Sequence, residues 1–207
     1  MEMPEEMELR IIPSSVELRE SEDGKRTITG YAVKWNQLSE KLGYFYRFRE
    51  RFTKGAFTDS LKNDTQKAHW NHNTDTVLGS TRSGTLKLFE DDTGLRFEND
   101  LPNNSWGNDA YESIKRGDVD GVSFAFRKEV EEWDESDPDN IVRTISKAKL
   151  REVSPTPYPA YPQSEVQARN YDPYKEYKDS QAGDKPDEIK AATRAAYSNL
   201  RKKLLEV

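Results

Sequence analysis

The run Gly121-Val122-Ser123-Phe124-Ala125-Phe126 permits little besides an extended strand. Its large apolar residues come at every second position, so a period of two puts Val122, Phe124 and Phe126 on one face and Ser123, Ala125 and Arg127 on the other. Three bulky side chains on one face need a core to cover them, and the strand therefore belongs to a sheet. The hydroxyl of Ser123 then stands on a rigid support, where a nucleophile could act. A serine on the wetter face of a half-buried strand is also commonplace, so the rest of the chain has to decide between the two readings.

Similar β-rich segments recur along the chain. Residues 9–12 and 16–18, broken by Pro13-Ser14-Ser15, read as one bent strand, and the turn Glu22-Asp23-Gly24-Lys25 folds it against residues 27–33 as a hairpin. Aromatic and charged residues alternate over 44–52, which predicts a core-facing aromatic edge, and Ser60-Leu61 falls in a short helix. Residues 67–71 and 77–80 bracket a polar loop. Residues 86–89 and 95–98 flank the turn Glu90-Asp91-Asp92-Thr93-Gly94 as a second hairpin. Asn108 is placed to cap a helix over 109–116 that Gly117 stops. Residues 122–130 and 141–150 make a third hairpin around an acidic loop. Many short strands with few helices predict a mainly β domain with peripheral helices (α+β), either an antiparallel barrel or a sandwich.

The ends differ in character. Residues 1–8 read as a disordered lead, 9–170 as the β domain and 171–183 as a polar, aperiodic linker. Over 184–207, Ile189, Ala192, Ala196, Leu200 and Leu204 recur at the spacing of an amphipathic tail helix. That helix reads equally as a docking handle and as a cap packed on the domain. Of 207 residues, 33% are hydrophobic and 34% charged, which suits one domain with polar extensions. With no cysteine there is no disulfide framework and no thiolate nucleophile. A net charge of −6 disfavours a nucleic-acid partner, and no apolar run is long enough to span a membrane. The setting expected is cytoplasmic.

The chemistry rests on few residues. The two histidines, His69 and His72, are three apart; on a helix that spacing could hold a metal, but the neighbourhood reads as strand into loop and offers no third ligand, so no metal is expected. On a strand they face opposite ways, so that one of them meets the site. Histidine is the commonest general base for a serine hydroxyl, and Glu152, in Leu150-Arg151-Glu152-Val153-Ser154, is a carboxylate that could orient an imidazole.

Taken in order, Gly30-Tyr31-Ala32, Gly55-Ala56-Phe57, Asn71-His72 before Val77-Leu78-Gly79, Gly94-Leu95-Arg96-Phe97, Gly117 with Gly121-Val122-Ser123-Phe124, and Leu150-Arg151-Glu152-Val153-Ser154 before Pro159-Ala160-Tyr161-Pro162 resemble the phage prohead maturation proteases of the HK97 type, which are related in fold to the herpesvirus assemblins. Asn73 stands where that family often has Asp, and Ala125 where it often has Gly. The resemblance implies a closed antiparallel β-barrel and a serine endopeptidase with His72 as base, Ser123 as nucleophile and Glu152 as third member; His69 falls outside the pattern. It implies no cofactor. The substrates it implies are scaffold or the scaffold-like segment of the major capsid protein, and the chain itself by self-cleavage, inside the assembling prohead in the host cytoplasm; it leaves room for a homodimer. The competing reading is a barrel without activity, either a capsid-assembly scaffold or a nucleic-acid-binding module using Tyr44-Phe45-Tyr46-Arg47-Phe48-Arg49.

Overall fold

The structure, a computed structural model, describes residues 7–12, 16–22, 24–43, 47–157 and 172–182. Its strands are β1 (Glu8–Ile12), β2 (Glu17–Glu20), β3 (Arg26–Lys34), β4 (Phe48–Phe52), β5 (Lys67–Trp70), β6 (Asn73–Ser80), β7 (Leu86–Glu90), β8 (Gly94–Asp100), β9 (Gly121–Asp134) and β10 (Ile141–Thr156). The helices are α1 (Thr58–Asn63), α2 (Ser105–Arg116) and α3 (Pro173–Ala182). The long antiparallel hairpin β9–β10 carries one sheet, in the order β1-β9-β10-β5-β6, and β4 lies parallel to the first residues of β10. A second sheet runs β2-β3-β8-β7. The expected hairpins are present as β2–β3, β7–β8 and β9–β10.

Both sheets turn apolar faces into one core. Phe124 and Phe126 of β9 meet Phe52, with ring centroids 5.5 and 5.1 Å apart at steep angles, and Phe57 lies 6.2 Å from Phe124. All four rings are buried, and edge-to-face contact adds to the burial that drives the collapse. Asn99 of β8, fully buried, bonds one sheet to the other by donating to the Leu78 carbonyl of β6 at 3.2 Å. Gly79 admits that amide, since a Cβ there would stand 1.7 Å from the Asn99 Oδ1.

Several expectations need correction. Among the described residues neither sheet closes on itself and no ladder joins the two, so the architecture is mainly β with a few helices and not a closed barrel. Residues 9–12 and 16–18 are not one bent strand, because β1 pairs with β9 and β2 with β3 in the other sheet. Helix α2 begins four residues earlier than expected, since the Asn104 side chain accepts from the Gly107 N–H at 2.9 Å and caps it, while Asn108 accepts from Arg26. Glu8 is no part of a frayed lead but a buried residue of β1. The stretch read as a linker contains α3, whose Asp172 accepts from the N–H groups of Tyr174 and Lys175 just ahead of Pro173 at the first helical position; α3 belongs to a second compact unit. The tail helix over 184–207 lies outside the described residues. No helix among the described residues is long and apolar enough to cross a membrane.

Candidate active site

The two histidines sit on one hairpin. Trp70 pairs with Asn73, so Asn71 and His72 alone make the turn between β5 and β6, with φ of 49° and 62°. Positive φ at both central residues is the backbone of a type I′ turn, which asparagine tolerates at its first position and which usually takes glycine at the second. Histidine in that second place is strained by about 1–3 kcal/mol, a cost met mainly where function requires the side chain. The turn is tied to the end of β10 by the Asn71 N–H on the Pro155 carbonyl at 3.1 Å and by Thr156 on the Asn71 side chain at 3.1 Å.

Both rings reach the same carboxylate. His72 Nδ1 lies 2.5 Å from Glu152 Oε1, and His69 Nδ1 bonds the other oxygen, Oε2. The expectation that only one histidine could reach the site is overturned. β5 runs parallel to β10 with Lys67 beside Glu152, so His69 shares the Glu152 face of the sheet, whereas His72 is outside the strand and escapes its alternation. Burial, the largest influence on Glu152, pushes its carboxyl up; hydrogen bonds from His69 and His72 and the charges on those rings outweigh it and bring it to about 2. An ionised carboxylate only accepts, so each Nδ1 carries the hydrogen of its bond, and in the neutral form of an imidazole so bound the lone pair is on Nε2. The His72 Nε2 is buried and has no hydrogen-bond partner. A ring held in this way through Nδ1 offers Nε2 to a proton donor. Among the described residues no three His, Asp or Glu side chains are grouped so as to hold a metal ion.

Ser123 is not yet in hand. It lies on β9 opposite Ser154 of β10, fully buried, and its Oγ donates to the main-chain carbonyl of Arg10 at 3.1 Å. The wet-face position expected from alternation is covered, because β1 adds to the free edge of β9. A buried charge cluster holds β1 there. Arg143, fully buried on β10, binds both Glu8 oxygens at 2.6 and 2.8 Å, Glu50 at 2.7 Å and Glu131 at 2.6 Å, and Arg10 closes the set on Glu50 and Glu8. Burial pushes the Glu8 carboxyl up, but Arg10 and Arg143 outweigh it and hold it below the usual carboxylate range.

The sequence reading placed Glu152 with His72 but put neither His69 on the same carboxylate nor Ser154 opposite Ser123. The first depends on the β5–β10 register, which no local pattern reveals. The second was readable: two residues after Glu152 on one strand is the same face.

A family model described as caudovirus prohead serine protease matches residues 14–177. Among solved structures, the capsid assembly protease gp21 of bacteriophage T4 is similar with a TM-score of 0.49 and 12% identity, over 72% of this chain and 96% of that one. Comparison with curated proteins found no match.

Proposed function

We propose a residue-level mechanism from one premise: the chain belongs to the caudovirus prohead serine protease family. It is a capsid maturation protease acting in the assembling head. Ser123 is its nucleophile, His72 its general base and Glu152 the group that orients and balances His72. The observation that carries this reading is the His72 ring, bound through Nδ1 to Glu152 at 2.5 Å with a buried Nε2 left without a partner. Ser123 attacks a backbone carbonyl and passes its proton to Nε2, and the imidazolium formed is stabilised by the carboxylate. His72 then returns the proton to the leaving amine, and water repeats the cycle on the acyl-enzyme. In the state described, Ser123 is turned to the Arg10 carbonyl, so the hydroxyl must leave that bond before it can attack. The substrates are scaffold or the scaffold-like segment of the capsid protein, together with the chain itself.

That same bond favours a second reading, a folded assembly factor that never cuts. One experiment separates the two. The full chain and its Ser123→Ala form are each co-expressed with the capsid precursor, and cleavage is followed by intact-protein mass spectrometry. Processing by the native chain and its disappearance in Ser123→Ala is the expected result. Equal processing by both removes Ser123 from the mechanism, and processing by neither favours the assembly factor.

A further inference from the structure

Ser123 and Ser154 face each other across β9 and β10. Directly opposed residues of antiparallel strands send their side chains to one face, with Cβ atoms about 5 Å apart. Both are fully buried, yet only one is satisfied: Ser123 Oγ donates to the Arg10 carbonyl, and Ser154 Oγ has no partner. Two residues before Ser154, on the same face of β10, is Glu152 with its two imidazoles. The His72 Nε2 is the other unmet atom here. The site thus buries a hydroxyl and a base that are both unused, next to a nucleophile turned away from them. An unmet buried hydroxyl is destabilising, and an alanine would fill nearly the same space without that cost.

We propose that Ser154 is a positioning residue for the proteolytic reaction, a conclusion that rests on reading Ser123 as the nucleophile. When Ser123 rotates about χ1 off the Arg10 carbonyl, its oxygen comes to Ser154, whose O–H donates to it and holds it beside the His72 Nε2. During attack the Ser123 O–H bond breaks, its oxygen bonds the substrate carbonyl carbon, and the proton goes to Nε2. Ser154 keeps its own proton throughout. The unmet hydroxyl of the resting state is therefore a vacancy for Ser123, and the bond that satisfies it forms only as the site assembles.

The test uses the full chain and a biotinylated fluorophosphonate, which reacts with activated serines. Ser123 and Ser154 fall in different tryptic peptides, 117–127 and 152–169, so mass spectrometry locates the label. Native protein is expected to label at Ser123. Ser154→Ala should label there about 10-fold more slowly, a loss of about 1.4 kcal/mol in transition-state stabilisation, while its Tm stays level or rises. Ser154→Thr, which keeps the hydroxyl, should label within about 3-fold of native. Native-rate labelling of Ser154→Ala overturns the positioning role and leaves Ser123 as nucleophile. A slower rate with a Tm lowered by several degrees assigns Ser154 to packing and also overturns it, as does Ser154→Thr labelling as slowly as alanine. Label on Ser154 in the native chain, or none on Ser123, removes the nucleophile assignment itself.

Discussion

Glu152 receives two imidazoles, and the two should not be equivalent in activity. His72 leaves a buried Nε2 for the proton, so His72→Ala is expected to lose roughly 10⁶-fold in kcat, as loss of a base does when nucleophile and base act as a unit. His69 holds the far oxygen and acts only through Glu152, so His69→Ala should lose about 10-fold, with KM little changed. Glu152→Gln should fall between them, at about 10⁴-fold. Steady-state kinetics on a capsid-derived peptide check this order, and a His69→Ala enzyme as dead as His72→Ala, with the fold intact, would count against the choice of His72 over His69. The carboxylate also predicts a pH dependence with a definite sign. Its folded value of about 2 lies below the ordinary 4.5, so the stability it contributes is present above pH 4.5 and is lost as pH falls through about 2. The gap in unfolding free energy between native and Glu152→Gln protein should therefore be widest near neutrality and close towards pH 2. At this scale the meeting of His72 with Glu152 was legible from their motifs, whereas the bond from Ser123 to the Arg10 carbonyl was not. His72's geometry was not, because its turn uses a left-handed histidine where an Asn-Gly pair would have announced a type I′ hairpin.

The elements that position these side chains differ in how openly the sequence declares them. Hairpins β7–β8 and β9–β10 follow from a period of two broken by turn residues, a local signal. The place of β1 does not, because Glu8, Arg10, Glu50 and Arg143 each look like surface charges until the strands bring them together. The cluster ties β1, which pairs with β9, to β4 and β10, and the Arg10 carbonyl on β1 accepts from Ser123. Removing one partner from a buried ion group leaves the others uncompensated. Arg143→Met is expected to cost about 3–5 kcal/mol in urea unfolding and to speed amide exchange in residues 8–12 more than in β10. A variant within about 1 kcal/mol of native would mean that the cluster contributes no more than an exposed pair does. The carboxyl of Glu8 is depressed by Arg10 and Arg143, so the hold on β1 is complete above the ordinary carboxylate range and weakens as pH falls below it.

At the scale of the whole molecule, the serine strand, the histidine hairpin and the carboxylate all fall within one compact unit, and α3, nearer the tail, belongs to the other. That separation motivates the last prediction, that the tail from 184 to 207 delivers the protease into the growing shell. In the sequence Ile189, Ala192, Ala196, Leu200 and Leu204 recur at helical spacing, with Arg201-Lys202-Lys203 towards the end, a pattern suited to docking on a partner. A tethered helix raises the enzyme's effective concentration near its substrate without changing the active site. The competing role is a cap that stabilises the β domain, and ending the chain after Asn170 separates the two. Docking predicts a truncated enzyme with native Tm and native peptide cleavage that is missing from purified proheads, whereas capping predicts a Tm lowered by several degrees and weaker cleavage of free peptide. Self-cleavage between the domain and the tail would release the enzyme once the shell is built. The helical α3 shields part of that stretch, since a protease needs an extended chain, so the mature terminus read by mass spectrometry should fall outside Pro173–Ala182. Proheads that incorporate the truncated chain at the native level would rule out delivery by the tail.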